Sequence, residues 1–160
     1  MTAGPLLALE GVSKRFRGLQ AVDGVSFQVP EGSIAALIGP NGAGKTTIFN
    51  LIAGVFRPEG GRVRFGGRDI TGLRPHAICG AGIARTFQLV KPFGGLTALE
   101  NVIVGALMRA SSLRAARSAA EALLARLGLA EKSHAPAASL TLPERKRLET
   151  ARALATEPRL

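Results

Sequence analysis

The chain has 160 residues, with 21 Lys and Arg against 11 Asp and Glu, a formal net charge of +10, and one cysteine, Cys79. A lone cysteine excludes an intrachain disulfide and fits a packing thiol in a reducing compartment. No run of about 18 apolar residues is there to span a bilayer, and no cationic, apolar leader follows Met1.

A chain of this length amounts to one domain, able to bury ~70% of its unfolded surface if the fold is complete. The positive excess invites a polyanion such as nucleic acid, a nucleotide or an anionic membrane surface. Composition bias accounts for it more simply, because the arginines (Arg57, Arg62, Arg64, Arg68, Arg74 and further ones to Arg126) are scattered rather than gathered into one basic arm.

In chain order, residues 6–16 and 24–29 read as two β-segments, the second alternating apolar and polar before the turn Pro30-Glu31-Gly32. Ile34-Ala35-Ala36-Leu37-Ile38 is apolar throughout, which predicts a strand covered on both faces. Next comes Gly39-Pro40-Asn41-Gly42-Ala43-Gly44-Lys45-Thr46-Thr47, opening the amphipathic run from Ile48 to Ala53. Here every fixed position of a Walker A loop is filled, between an expected strand and an expected helix.

The chemistry of that spacing is specific. A polyphosphate needs many donors and little bulk, so the glycines let the backbone turn and bring its N–H groups close to the oxygens, while the following helix points its positive end at the same place. Lys45 is expected to reach the β- and γ-phosphates, and Thr46 to place its hydroxyl on Mg²⁺. The helix is expected to stop at Gly54.

Further on, Arg62-Val63-Arg64-Phe65 with Gly66-Gly67 reads as a strand and turn, residues 75–80 as a short helix, and residues 83–87 as another strand. From Thr97 the pattern is helical. Thr97 with Glu100 forms a capping box, and Leu99, Val102, Ile103, Ala106 and Leu107 make one stripe. A second helix runs from about Leu113 to Leu127, stopped by Gly128.

With these positions placed, the chain resembles the ATP-binding subunit of an ABC transporter over essentially its whole length, and most of all the branched-chain amino acid importers. The resemblance implies an α/β fold: a P-loop NTPase core with an N-terminal antiparallel β-subdomain and an α-helical subdomain, incomplete at the C-terminus. It divides the chain into an antiparallel β part (1–33), a Walker A core running to the Q-loop (34–96), a helical subdomain (97–138) and a signature helix (139–160).

The same resemblance implies ATP and Mg²⁺ as ligands, bound by Phe16, Val22 and residues 39–47. Phe16 stands where the family stacks a ring on adenine. Gly82-Ile83-Ala84-Arg85-Thr86-Phe87-Gln88 resembles the strand that ends in the Q-loop glutamine, so Gln88 joins Lys45 as a catalytic residue and Thr46 as a magnesium residue. Arg-Thr-Phe-Gln, together with Leu96-Thr97-Ala98-Leu99-Glu100-Asn101-Val102, selects the branched-chain branch.

The signature departs from the family pattern. In place of Leu-Ser-Gly-Gly-Gln stands Leu140-Thr141-Leu142-Pro143-Glu144. Thr141 keeps the hydroxyl, Pro143 removes a backbone N–H, and Glu144 puts a negative charge where a neutral amide belongs. Thr141, Leu142, Pro143 and Glu144 are expected to face the nucleotide of a partner subunit, with weakened γ-phosphate contact and favoured helix initiation.

The sequence reaches Leu160 before a Walker B aspartate, catalytic glutamate or switch histidine, and His76 and His134 lie too early to substitute. Weak or no nucleotide binding and negligible hydrolysis by these residues alone are therefore expected.

The implied partners are permease subunits, a second ATPase subunit and a solute-binding protein, with peripheral attachment to the inner face of the cell membrane and no nucleic acid. Two alternatives stay open: a nucleic-acid-associated ABC ATPase, to which the charge could point, and a degenerate, non-hydrolysing interaction fragment. A GTPase is disfavoured by the lack of an Asn-Lys-x-Asp motif, and a small-molecule kinase by the Q-loop and helical segments.

Overall fold

The computed structural model describes residues 4–160. They fall into two compact units, one extending to Ala81 and one spanning Gly82–Leu160.

The first unit is built on a hairpin. Strands β1 (Leu7–Phe16) and β2 (Leu19–Val29) are joined by Arg17 and Gly18, with φ of 44° and 92°. Positive φ at both central residues is the geometry that matches the twist of a two-residue hairpin. β2 therefore begins well before Gly24, where the sequence pattern first alternates.

Helix α1 (Lys45–Ile52) follows, then β3 (Gly60–Phe65), β4 (Arg68–Asp69) and helix α2 (Pro75–Ala81). The sheet order is β2-β1-β3-β4, antiparallel throughout, with Leu7 opposite both Val29 and Phe65 and Leu9 opposite both Phe27 and Val63. Because β1 lies between two neighbours, Leu7, Ala8 and Leu9 are all buried, and Val12, Val22 and Val63 extend the same core. From α1, Ile48, Leu51 and Ile52 are buried, and Gly54 follows its C-cap with φ 71°.

The expected buried strand at residues 34–38 does not form. The segment belongs to no strand of the sheet, and Ile34 and Ile38 are almost wholly exposed. An apolar run specifies a preference for burial, but a strand also needs a neighbour to complete its ladder. Among the described residues none pairs with this one.

The second unit is helical: α3 (Ala98–Ala106), α4 (Leu113–Arg126) and α5 (Leu142–Leu154), with single 3₁₀ turns at Ala130–Lys132 and Ala137–Ser139. Leu99, Val102 and Ala106 of α3 meet Ala116, Ala120 and Leu124 of α4 and Leu148 and Ala151 of α5 in one buried cluster. Leu107, predicted to share that stripe, lies past the end of α3 and is half exposed.

The ends of these helices explain part of the positive charge. Arg145 donates to the carbonyls of Leu140 (2.8 Å) and Ala138 (2.6 Å), Arg147 to those of Leu127 and Gly128 (3.3 Å each), and Arg109 to that of Thr156 (3.1 Å). These guanidinium groups satisfy carbonyls that helix ends and turns leave without partners.

The strand expected at residues 83–87 is also missing as a regular element. Its backbone bonds are few: Ala84 N–H donates to the Leu160 carbonyl at 2.8 Å, and Arg159 N–H to that of Gly82 at 2.8 Å. These bonds, with a third from Leu160 N–H to the same Gly82 carbonyl at 3.2 Å, pin the start of the segment without extending a ladder.

Candidate functional site

The Gly39–Thr47 loop ends in Gly44, the N-cap of α1, held at φ 81°. A Cβ at Gly44 would run into the Ala21 carbonyl oxygen and stand 3.4 Å from Val22 Cγ2. Only glycine combines that left-handed conformation with such an approach to β2. Val22 is thereby placed beneath the loop, as a buried support rather than an exposed contact.

Gly44 caps α1 with no side-chain bond, and the first turn of the helix holds no acidic residue. The N–H groups that an α-helix leaves orphaned at its start are thus uncapped by any side chain. Lys45 Nζ donates to the carbonyls of Gly39 and Pro40, both at 2.6 Å, so the ammonium is folded back over the loop it follows. Thr46 is exposed and Thr47 half-buried. The set fits a magnesium nucleotide: backbone donors and one ammonium for phosphate, and one exposed hydroxyl for a cation that keeps mostly phosphate and water ligands. Among the described residues no cluster of three or more His, Cys, Asp or Glu could hold a metal by itself.

Phe16 ends β1, half-buried. Its ring meets that of Phe56 at 5.0 Å and 70°, and Lys14 Nζ stands 5.3 Å over its centroid. Lys14 is itself tied to Glu59 at 3.2 Å. The ring is therefore attended by an ammonium and by the edge-on ring of Phe56.

In the second unit, Gln88 is exposed, directly after Phe87, whose ring carries the Arg85 guanidinium at 4.9 Å. Phe87 N–H donates to the buried carboxylate of Glu149 on α5 at 2.8 Å. Five residues on from Gln88, Phe93 exchanges two bonds with the side chain of Asn101, wholly buried on α3: Phe93 N–H donates to its Oδ1 (2.9 Å), and its Nδ2 donates to the Phe93 carbonyl (3.1 Å). Neither Glu149 nor Asn101 was picked out by sequence reasoning. The available signal was a polar residue inside an otherwise apolar helical stripe.

The signature positions form the N-terminus of α5. Thr141 is the N-cap, Pro143 sits in the first turn, and Glu144 closes a capping box. The Glu144 carboxylate accepts from Thr141 N–H at 2.7 Å and from its hydroxyl at 2.8 Å. Those two bonds, the backbone one foremost, hold the Glu144 carboxyl below its ordinary pKa, with smaller help from Lys132 and Arg147. Leu142 is exposed.

Thus the first unit brings Val22 against the loop at Gly44 and sets Phe16 beside Phe56 and Lys14, and the second ties the residue before Gln88 to α5. Residues 22–160 match the family model described as ABC transporter. The chain belongs to the ABC transporter family. It is 39% identical to the high-affinity branched-chain amino acid transport ATP-binding protein BraF of Pseudomonas aeruginosa, over 98% of this chain and 67% of that protein. LivG of Escherichia coli, named for the same transport, is 38% identical over the same shares.

Among solved structures, a nucleotide-free ATP-binding cassette from an ABC transporter superposes with a TM-score of 0.83 at 34% identity, covering 96% of this chain and 66% of that one. The protein cbiO1 from Clostridium perfringens, part of the ABC transporter complex cbiONQ, superposes with a TM-score of 0.82 at 25% identity, covering 97% and 63%. This member of the family thus spans about two thirds of the length of the relatives it matches. The α/β ABC cassette architecture expected from sequence is the one these neighbours share. Among the described residues no helix is long and apolar enough to cross a membrane.

Proposed function

We propose that this chain is the ATP-binding, energy-coupling part of an ABC importer for branched-chain amino acids. It would act at the inner face of the cell membrane with permease subunits and a second ATP-binding subunit. The observation that carries the nucleotide reading is the uncapped start of α1: Gly44 in the left-handed region against Ala21, with the Lys45 ammonium poised over the loop. The branched-chain substrate is supported by the printed function of the relatives alone.

In this reading the loop N–H groups of residues 39–47 and the α1 N-terminus hold the phosphates. Lys45 exchanges its two carbonyl acceptors for phosphate oxygens, a trade of neutral for charged partners that strengthens each bond. Thr46 holds Mg²⁺, which when bound neutralises charge on the phosphates. Phe16 would stack on the base, and Gln88 is the residue that the family resemblance assigns to the attacking water.

Isothermal titration calorimetry of the chain with Mg-ATP tests the cradle. Saturable heat of weak affinity at one site per chain is what the cradle requires, and no heat at millimolar nucleotide would overturn the reading.

A further inference from the structure

Glu149 is a carboxylate on the buried face of α5, beside Leu148 and Ala151. An ion in such a place costs desolvation unless hydrogen bonds compensate it. A leucine would serve packing better, so what the carboxylate touches is informative. It accepts from the backbone N–H of Phe87 at 2.8 Å, across 62 positions of sequence, and Phe87 immediately precedes Gln88.

The far side of the same segment is held as firmly. Phe93 is clamped by Asn101, as described, and its ring carries the Arg152 guanidinium at 5.1 Å. Glu149 and Arg152 lie three positions apart on α5, on one side of the helix. One helix thus touches the segment on both sides of Gln88, leaving residues 88–92 as the span between fixed points.

We infer that Glu149 is a positioning residue for Gln88: through the Phe87 N–H it ties the glutamine-bearing segment to the helix whose opposite end carries Thr141–Glu144. The inference rests on the nucleotide reading for what Gln88 does, but the bond itself does not. Displacement of Gln88 pulls on α5 at Glu149, and movement of α5 repositions Gln88. Glu149 itself touches no substrate.

The test is NMR on the ¹⁵N,¹³C-labelled full chain. A scalar coupling across the hydrogen bond, from Phe87 N to Glu149 Cδ, is expected in the unsubstituted protein; its absence overturns the inference with no variant needed. Glu149→Leu is expected to speed exchange of the Phe87 amide roughly 10- to 100-fold, whereas Glu149→Gln, which keeps an oxygen acceptor, retains most of the protection. Exchange in Glu149→Leu within twofold of the unsubstituted chain overturns it.

Added Mg-ATP should shift the Gln88 side-chain amide and α5 resonances together in the unsubstituted and Glu149→Gln proteins. In Glu149→Leu the two responses should separate while the calorimetric affinity stays within about twofold; a purely structural role would leave them joined, and that result sinks the inference. If nucleotide moves nothing in the unsubstituted protein, the cradle reading falls, and the coupling and exchange data alone decide whether Glu149 positions the segment.

Discussion

Helix α1 begins at Gly44, which has no side chain to cap it, whereas helix α5 begins at Thr141, whose N–H and hydroxyl are both taken by Glu144. Both sequences are ones that the family resemblance assigns to phosphate, yet one N-terminus is left open and the other is closed by its own chain. An open start keeps its orphan N–H groups and its positive end available to an anion. At the closed start the chain's own carboxylate sits on the N-cap N–H and hydroxyl, and an incoming phosphate would meet that negative charge. The contrast separates two demands that a helix N-terminus can serve: stability of the helix, which α5 satisfies, and reception of a ligand, which the proposed function gives to α1.

The largest expected effect falls on the open end. Lys45→Ala should weaken Mg-ATP binding on the order of 100-fold, the scale of a charge-assisted hydrogen bond of about 2–3 kcal/mol, read by calorimetry. An affinity unchanged by this substitution would mean that the open N-terminus is not the phosphate site.

Gly44→Ala comes next. Its Cβ faces both the left-handed φ and the Ala21 carbonyl, so chemical denaturation should report a loss of about 2 kcal/mol or more. Gly42→Ala pays strain alone, because no atom lies within 4 Å of its missing Cβ at φ 85°; about 1 kcal/mol is expected. Equal losses at the two positions would show that the approach to Ala21 is not tight.

On the closed end, Glu144→Gln removes the charge that opposes phosphate. Nucleotide-dependent self-association, followed by sedimentation velocity, should strengthen roughly two- to fivefold. Weakening would mean that the capping box matters more to the interface than the charge does.

The smallest effect is a pH dependence. Glu144 has its folded pKa depressed by the Thr141 N–H and then its hydroxyl, and Glu100 likewise by those of Thr97. Depression means that this stabilisation is fully present above the ordinary value of 4.5 and is lost as pH falls through the lower folded value. Urea midpoints should therefore drop below about pH 4.5, and the drop should shrink in Glu144→Gln.

Local chemistry was readable where a residue type has one dominant use. Thr97 with Glu100, Gly128 at φ 66° and the turns at Gly42 and Gly44 appear as the sequence predicts. So does the initiating role of Pro143 and Glu144, because a helix cap is decided within four residues. What escaped was non-local. Residues 34–38 announce burial but cannot announce a partner, and residues 83–87 look extended without a ladder to join. Glu149 and Asn101 are intelligible only once Phe87 and Phe93 are beside them. Ser112, whose hydroxyl accepts from Ala115 N–H at 3.2 Å, caps α4 just before the Leu113 start that the sequence pattern gives.

The run Ile34-Ala35-Ala36-Leu37-Ile38 has a practical consequence for anyone handling the polypeptide. It is uncharged, free of proline and open to solvent, the composition from which intermolecular sheets are seeded. Purified alone, the protein should behave as a sticky solute whose light scattering climbs steeply with concentration, and a lysine placed at Ala36 should act as a gatekeeper that suppresses it.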